Sequence, residues 1–515
     1  MYDSAIGKSL LSPFKICFSA GLLIALSVNP AAGQQHAASI SPSLSIERRF
    51  AALRKSPLEL YAFLLAMPKG ADLHNHVVGA VYAENLIGAA AQQHLCIDLG
   101  TLSFQKLSGP EGTCKVDAAL AEANNDLFNS LVNSLSMRAF VAGSESGHDH
   151  FFAAFNKFNA DKAPEPASFV VEVVRRAAEQ NESYLELMAL NGNLASVLGD
   201  KVGFNGDFAD TVSKLREAGI AETVTDQKAK VDAIEQSRLK LLNCSQNPQS
   251  EPCKVTVRYV YQVLREFPNA SVFAQTLCGF MLAAEDPRVV AINFVQPEDG
   301  INSMKNYHLD MQMIDYIHQL YPKVHITLHA GELALGLVPP EGLRFHIREA
   351  VEIGHAERIG HGVDVMYETN AAGLLATMRK RNVDVEVNLS SNDQILGVKG
   401  ENHPFPVYRK FGIPVTLSTD DEGVGRTHLT EEFQRAVLTY GLSYADVKQI
   451  VRNSLQYSFV SGEGYWTDSS YRHPAKACVA GMAGESCKAF LAANEKARLQ
   501  ADLEERFRVF EAGVF

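Results

Sequence analysis

Positive charge is what this chain lacks most plainly. Its 47 Lys and Arg stand against 59 Asp and Glu, a formal net charge of -12. A nucleic-acid backbone demands patches of Lys and Arg, so a polyanionic partner is not expected. Beyond residue 28 no apolar run reads as membrane-spanning. Internal repeats and low-complexity domains are absent. None of the cysteines forms a C-x-x-C pair, which argues against a cysteine-ligated zinc. There is no H-E-x-x-H helix of the metalloprotease kind. His355-Ala356-Glu357 matches the H-x-E half of another zinc signature, but its P-C-x-x-C half is missing.

What is present begins with an export signal. Lys8 and Lys15 precede an apolar run over 16–28, and Pro30-Ala31-Ala32-Gly33 supplies small residues for cleavage. Residues 1–33 therefore read as a secretory signal. The run is short for a membrane span, although an uncleaved anchor is the alternative. A periplasmic or secreted protein follows, with no membrane attachment after processing. Such a compartment is oxidising and gives the cysteines a meaning. Cys96 and Cys114, Cys244 and Cys253, and Cys478 and Cys487 each lie close together in polar, irregular stretches, as local disulfides would. Cys278 is left over in an apolar helical segment and reads as a buried free thiol.

The 515 residues, 46% of them hydrophobic, are ample for one large barrel with insertions. Residues 34–66 read as an N-terminal helical extension, with helical periodicity over 48–65. Short apolar, β-rich runs then recur at 71–76, 184–188, 254–263, 289–295, 324–329, 358–361, 383–389 and 414–419. Helical stretches such as 342–353 and 371–381 separate the later ones. Strands alternating with helices imply a parallel sheet, and eight such units imply an α/β fold of (β/α)8 TIM-type barrel form. The barrel would occupy 67–515, with helical and disulfide-bearing insertions at about 90–160 and 191–253 and a helical segment from 428. The chemistry of such a barrel gathers at the C-terminal ends of its strands.

The residues at those ends are suited to a metal. His74 and His76 are two apart on the first strand and project the same way. His329 ends the fifth strand and Asp420 the eighth. Three imidazoles and a carboxylate suit zinc, with room for one water. Zinc lowers the pKa of such a water to about 7. His361, ending the sixth strand, is placed to orient or deprotonate it. Glu332, on the turn after His329, is a desolvated carboxyl able to act as a general acid. Asp421 faces a substrate, or else caps a helix. The fourth strand carries no lysine to bridge two metals, so one Zn2+ per chain is expected. His148, His150, Phe151, Phe152 and Phe155 read either as a substrate gate or, more simply, as helix-packing residues.

These motifs resemble the adenosine deaminase family of the amidohydrolase superfamily. The resemblance is carried by Met67-Pro68-Lys69-Gly70-Ala71-Asp72-Leu73-His74-Asn75-His76, by His329-Ala330-Gly331-Glu332 and by Arg358-Ile359-Gly360-His361-Gly362. Glu386-Val387-Asn388-Leu389-Ser390-Ser391-Asn392, His403-Pro404 and Leu417-Ser418-Thr419-Asp420-Asp421 complete it. The signal, the Met-Pro-Lys-Gly lead-in and the cysteine-bearing insertions look most like its secreted, growth-factor-related branch. The resemblance implies that His74, His76, His329 and Asp420 bind zinc and that Glu332 protonates purine N1. It implies that His361 acts on the water that attacks C6 and that Asp421 bonds N7. Hydrolysis of adenosine or 2′-deoxyadenosine to inosine or 2′-deoxyinosine and ammonia would result.

Two positions depart from the family pattern. Val78 replaces an aspartate that bonds the ribose, and Gln296 replaces a glycine whose backbone meets purine N3. Gln296 and Gly331 are accordingly expected to contact the substrate, with Gln296 or Glu298 replacing the lost contacts. The alternative is another 6-aminopurine, either adenine or an N6-substituted adenine. A different class, a secreted binding factor with a vestigial site, stays open beside these. The expected partner is a small purine nucleoside or base, and the helical additions are compatible with a homodimer.

Overall fold

The computed structural model describes residues 42–513 apart from 107–115, 144 and 159–165. The expected signal at 1–33 and Cys114, the expected partner of Cys96, lie outside the described residues.

Eight strands run parallel in chain order: β1 (Gly70–His76), β2 (Glu182–Asn191), β3 (Thr256–Leu264) and β4 (Val289–Val295). They continue as β5 (His325–Ala330), β6 (Arg358–His361), β7 (Asp384–Val387) and β8 (Val415–Leu417). The seam closes just past β8, where the Asp420 amide donates to the His74 carbonyl (2.9 Å) and the His76 amide to the Asp420 carbonyl (3.0 Å). The result is the α/β TIM-type barrel that the alternation of strands and helices predicts. Its strands are buried almost throughout because helices such as Asn269–Glu285 and Ile301–Leu320 cover the outside.

Four consecutive-looking strand ends share a backbone device. Gln296 (φ 85°), Gly331 (φ 75°), His361 (φ 68°) and Asp420 (φ 61°) all take left-handed backbone just beyond or at the ends of β4, β5, β6 and β8. Only Gly331 does so without steric cost. Non-glycine residues held this way cluster at functional sites, where the surrounding fold over-determines them.

The additions to the barrel differ from expectation mainly at breaks. The helix expected over 48–65 is two, Pro42–Leu53 and Pro57–Ala66. Pro57 disfavours helical backbone at Ser56 and then starts the second helix at its first position. The stretch 342–353 likewise divides into a short 3-10 turn, Pro340–Leu343, and a helix, His346–Glu352. The first insertion contains a small hairpin, Cys96–Asp98 with Ser103–Gln105, and the helices Asn125–Ser134 and Gly147–Phe158. The second carries three helices ending at Leu241. The Cys244–Cys253 disulfide follows them, and Cys478–Cys487 staples the C-terminal segment. Cys278 is a buried free thiol. Among the described residues no helix is long and apolar enough to cross a membrane.

Candidate active site

The barrel brings together four residues from three distant stretches of the sequence. The His329 Nε2 lies 3.1 Å from the Nε2 atoms of both His74 and His76. Asp420 Oδ1 lies 3.5 Å from His74 Nε2 and 3.4 Å from His76 Nε2. One donor atom from each of the four falls within 4.8 Å of all the others.

The other nitrogen of each ring shows what the converging atoms are. His74 Nδ1 faces Glu386 Oε2 at 2.6 Å, His76 Nδ1 faces Gln262 Oε1 at 3.3 Å, and His329 Nδ1 faces Asn293 Oδ1 at 3.0 Å. Asn293 is oriented independently, since the same oxygen accepts the His329 backbone N–H at 3.0 Å. Oxygens of this kind only accept, so each Nδ1 carries the proton and each Nε2 presents a lone pair. Three lone pairs and a carboxylate aimed at one point repel unless a cation lies between them. The set therefore fits a divalent ion of borderline softness such as zinc, with the orienting acceptors that ligating histidines need. Ser391 Oγ donates to Asp420 Oδ2 at 2.7 Å and holds the fourth candidate ligand.

Glu332, Asp421 and His361 border this point. Burial, reinforced by Asp420 and Glu298, pushes the Glu332 carboxyl well above the usual carboxylate range, which favours its protonated form. Burial next to Asp420 does the same to Asp421. The Asp421 side chain makes no capping bond to the short helix that follows, and its buried Oδ1 has no hydrogen-bond partner among the described residues. Gly79 makes room for it: a Cβ there would lie 1.7 Å from Asp421 Oδ1. His361 is fully buried, with an unpartnered Nε2 at 3.9 Å from Asp420 Oδ2.

Glu298 belongs to the framework of the site, contrary to the expectation that it replaces lost substrate contacts. Its Oε1 accepts the Gly331 N–H (2.9 Å) and faces His346 Nδ1 (2.5 Å), while its Oε2 accepts the Glu332 N–H (2.7 Å). The Gly331 backbone is also bonded within the protein. Its N–H goes to Glu298 and its carbonyl accepts from Val363 at 2.8 Å, so both backbone groups are used inside the turn. The Gln296 side chain turns its oxygen to the Glu266 N–H (3.0 Å), and its carbonyl is held by Arg265. Val78, where the family pattern has an aspartate, is a half-buried packing residue.

His148 Nε2 faces Asp299 Oδ1 at 2.9 Å, and Phe151, Phe152 and Phe155 pack against one another. His355 pairs with Asp315 (2.7 Å) and Glu357 with His325 (2.8 Å), at the opposite end of the strands, so that H-x-E is unconnected with the site.

The orienting residues Gln262, Asn293 and Glu386 were not singled out by sequence reasoning. Their signal was there: each is a polar side chain interrupting an apolar strand on its inward-facing parity.

A His/Asp group able to hold a metal ion thus lies at the mouth of a TIM-type barrel. A family model described as adenosine deaminase matches residues 124–465, and the chain belongs to the adenosine deaminase family. It is 37% identical over 139 residues to an adenosine deaminase of Clostridium perfringens, covering 27% of this chain and 39% of that protein. It is 35% identical over 139 residues to the adenosine deaminase of Clostridium botulinum, covering 27% and 38%. The matched segment thus spans well under half the length of these curated relatives. Among solved structures, an Arabidopsis ADAL complexed with IMP superposes with a TM-score of 0.52 at 18% identity, covering 86% of this chain and 98% of that one. The N6-methyl-AMP deaminase of Arabidopsis thaliana gives 0.50 at 20% identity, covering 78% and 94%. At such identities these two speak for the fold.

Proposed function

We propose that this chain is a metal-dependent aminohydrolase of 6-aminopurines that converts adenosine or 2′-deoxyadenosine and water to inosine or 2′-deoxyinosine and ammonia. The observation that carries this reading is the convergence of three histidine lone pairs and a carboxylate beside the buried Glu332, whose carboxyl burial shifts toward its protonated form. The family membership points the same way.

His74, His76, His329 and Asp420 would hold one zinc ion. Bound zinc lowers the pKa of a coordinated water to about 7 and so supplies a nucleophile at neutral pH. The remaining work belongs to the chain's own groups. Glu332, neutral through burial, donates its proton to the ring nitrogen next to the reacting carbon. That makes C6 electrophilic. Asp421, also neutral, donates a hydrogen bond from its unpartnered side to N7. His361 faces the attacking oxygen. Addition at C6 and departure of ammonia complete the exchange of an amino group for an oxygen.

Val78 and the inward-directed hydrogen bonds of Gln296, Gly331 and Glu298 favour a second reading, in which the substrate is adenine or an N6-substituted adenine. The aspartate that the family pattern places on the ribose is absent here, and the Gln296 side-chain oxygen and carbonyl are bonded within the protein. The two disulfides fit an oxidising compartment, so we further propose export to the periplasm or medium and a place near the secreted, growth-factor-related branch.

Ultraviolet absorbance of the purified, zinc-supplemented protein tests both readings. Adenosine, 2′-deoxyadenosine, adenine, AMP and N6-methyladenosine would be offered in parallel. Loss of the adenosine band supports the first reading, and turnover of adenine or N6-methyladenosine alone supports the second. No turnover of any of them, with no bound metal, refutes the enzyme and leaves a binding factor with a vestigial site.

A further inference from the structure

Four histidines meet at the barrel mouth, and their partners divide them into two kinds. His74, His76 and His329 each face an oxygen at Nδ1. His361 faces nitrogen instead: Asn392 Nδ2 lies 2.9 Å from its Nδ1 and Asn388 Nδ2 lies 3.5 Å away. Which end of the Asn392 amide points there is decided one residue further out. His403 Nδ1 accepts the Phe405 backbone N–H at 3.1 Å, and a backbone N–H has no other polarity. The proton of neutral His403 therefore sits on Nε2, which donates to Asn392 Oδ1 at 3.0 Å. With its oxygen committed, Asn392 turns its N–H hydrogens to His361. A proton on His361 Nδ1 would meet those hydrogens head on. All three side chains are buried, so the order Phe405, His403, Asn392, His361 is a closed sequence of donors and acceptors.

We propose that Asn392 and His403 are positioning residues that hold His361 as the Nε2–H tautomer, making it a hydrogen-bond donor to the attacking oxygen rather than the base that deprotonates it. This rests on the deaminase reading for its role, though not for its geometry. The same barrel mouth thus presents three Nε2 lone pairs and one Nε2–H. An N–H at that place orients the oxygen so that a lone pair faces the purine carbon, and His361 gives up no proton in the step.

The tautomer is observable without turnover. Long-range 1H–15N correlation on zinc-loaded protein carrying 15N-histidine reads each ring nitrogen as protonated or bare, and the His361 signals are those lost in His361→Gln. The expected pattern is a bare Nδ1 and a protonated Nε2. In Asn392→Asp a carboxylate replaces the amide N–H and the pattern should reverse. Its kcat should fall on the order of 10²-fold, the scale of a misplaced proton-bearing group, with KM and zinc content within about threefold. His403→Gln offers a donor in place of Nε2 and should keep the wild-type pattern, whereas His403→Phe should lose it. A protonated Nδ1 on His361 in the wild-type protein overturns the proposal, with no variant needed. So does an Asn392→Asp protein with unchanged tautomer and kcat. A wild-type protein with the Nε2–H pattern but no aminopurine turnover would sink the deaminase reading and leave the hydrogen-bond order standing.

Discussion

Glu298 is the group on which the placement of the general acid depends, and replacing it with Gln tests this. The two oxygens carry unequal loads. Oε1 takes the Gly331 N–H and His346 Nδ1, whereas Oε2 takes the Glu332 N–H alone. A carboxamide does least harm with its oxygen in the Oε1 place, which puts its NH2 against the Glu332 N–H. The damage therefore falls on Glu332. Losing a hydrogen bond to a charged acceptor costs about 1.5–3 kcal/mol, and a buried N–H left without a partner costs about 1–3 kcal/mol more. Partial relaxation brings the sum to about 2–5 kcal/mol. For a chain of this size, unfolding entropy near 2.1 cal/mol/K per residue converts that to a fall in Tm of about 2–5 °C. The effect on rate is larger, because a reacting group displaced by about 1 Å costs on the order of 10²-fold. Glu298 touches none of the four candidate ligands, so zinc content should not change. Steady-state kinetics on the purine that the wild type turns over, metal analysis and thermal unfolding give the three readings. A Glu298→Gln protein with wild-type kcat and Tm would refute the idea that this carboxylate sets the His-Ala-Gly-Glu turn. Loss of zinc would instead show that it supports the metal ligands.

Four more outcomes follow from the same geometry. Glu332→Gln should lower kcat by about 10²–10⁴-fold while leaving fold and metal content intact. Near-normal turnover would remove the acid role. Because Glu332 works protonated and burial raises its pKa, the alkaline limb of wild-type kcat should decline as pH rises through that raised value. A kcat that climbs on raising the pH through that limb contradicts the assignment. Asn293→Leu removes the acceptor of both the N–H and the Nδ1 of His329. Zinc affinity, read by chelator competition, should weaken about 10- to 100-fold, and unchanged affinity would mean the ligand needs no orienting partner. Cys478→Ser opens a disulfide that spans a sequence separation of 9. On the chain-entropy argument it should lose about 2–3 kcal/mol in denaturant unfolding, and an unaltered midpoint would show the C-terminal segment to be held by packing alone.

Much of the barrel was legible in the chain because its signal is local. Eight short apolar runs, each read within a few residues of its observed strand, needed only the contrast between strand and helix periodicity. The candidate metal ligands were legible for the same reason. His74 and His76 have the alternate spacing that puts two side chains on one face, and His329, His361 and Asp420 stand at the ends of apolar runs. The breaks at Ser56-Pro57 and before His346 were missed where a local residue outweighed periodicity.

What only the folded barrel decided is which polar group serves which. Glu298 and Glu332 are both carboxylates near strand ends; the position of Glu332 after His329 marks it as the acid, but that Glu298 braces the turn is visible only in the fold. Gly331 and Gln296 looked open to a substrate until the contacts of Glu298, Val363, Arg265 and Glu266 used up most of their polar groups. The polarity of His361 depends on Asn392 and His403, and that of His74 on Glu386, residues on other strands or the loops beyond them. Such pairings are fixed by how the strands are staggered when the sheet closes on itself. Residue type and spacing determine that these groups face inward, and only the closed, water-excluding interior determines which oxygen meets which nitrogen.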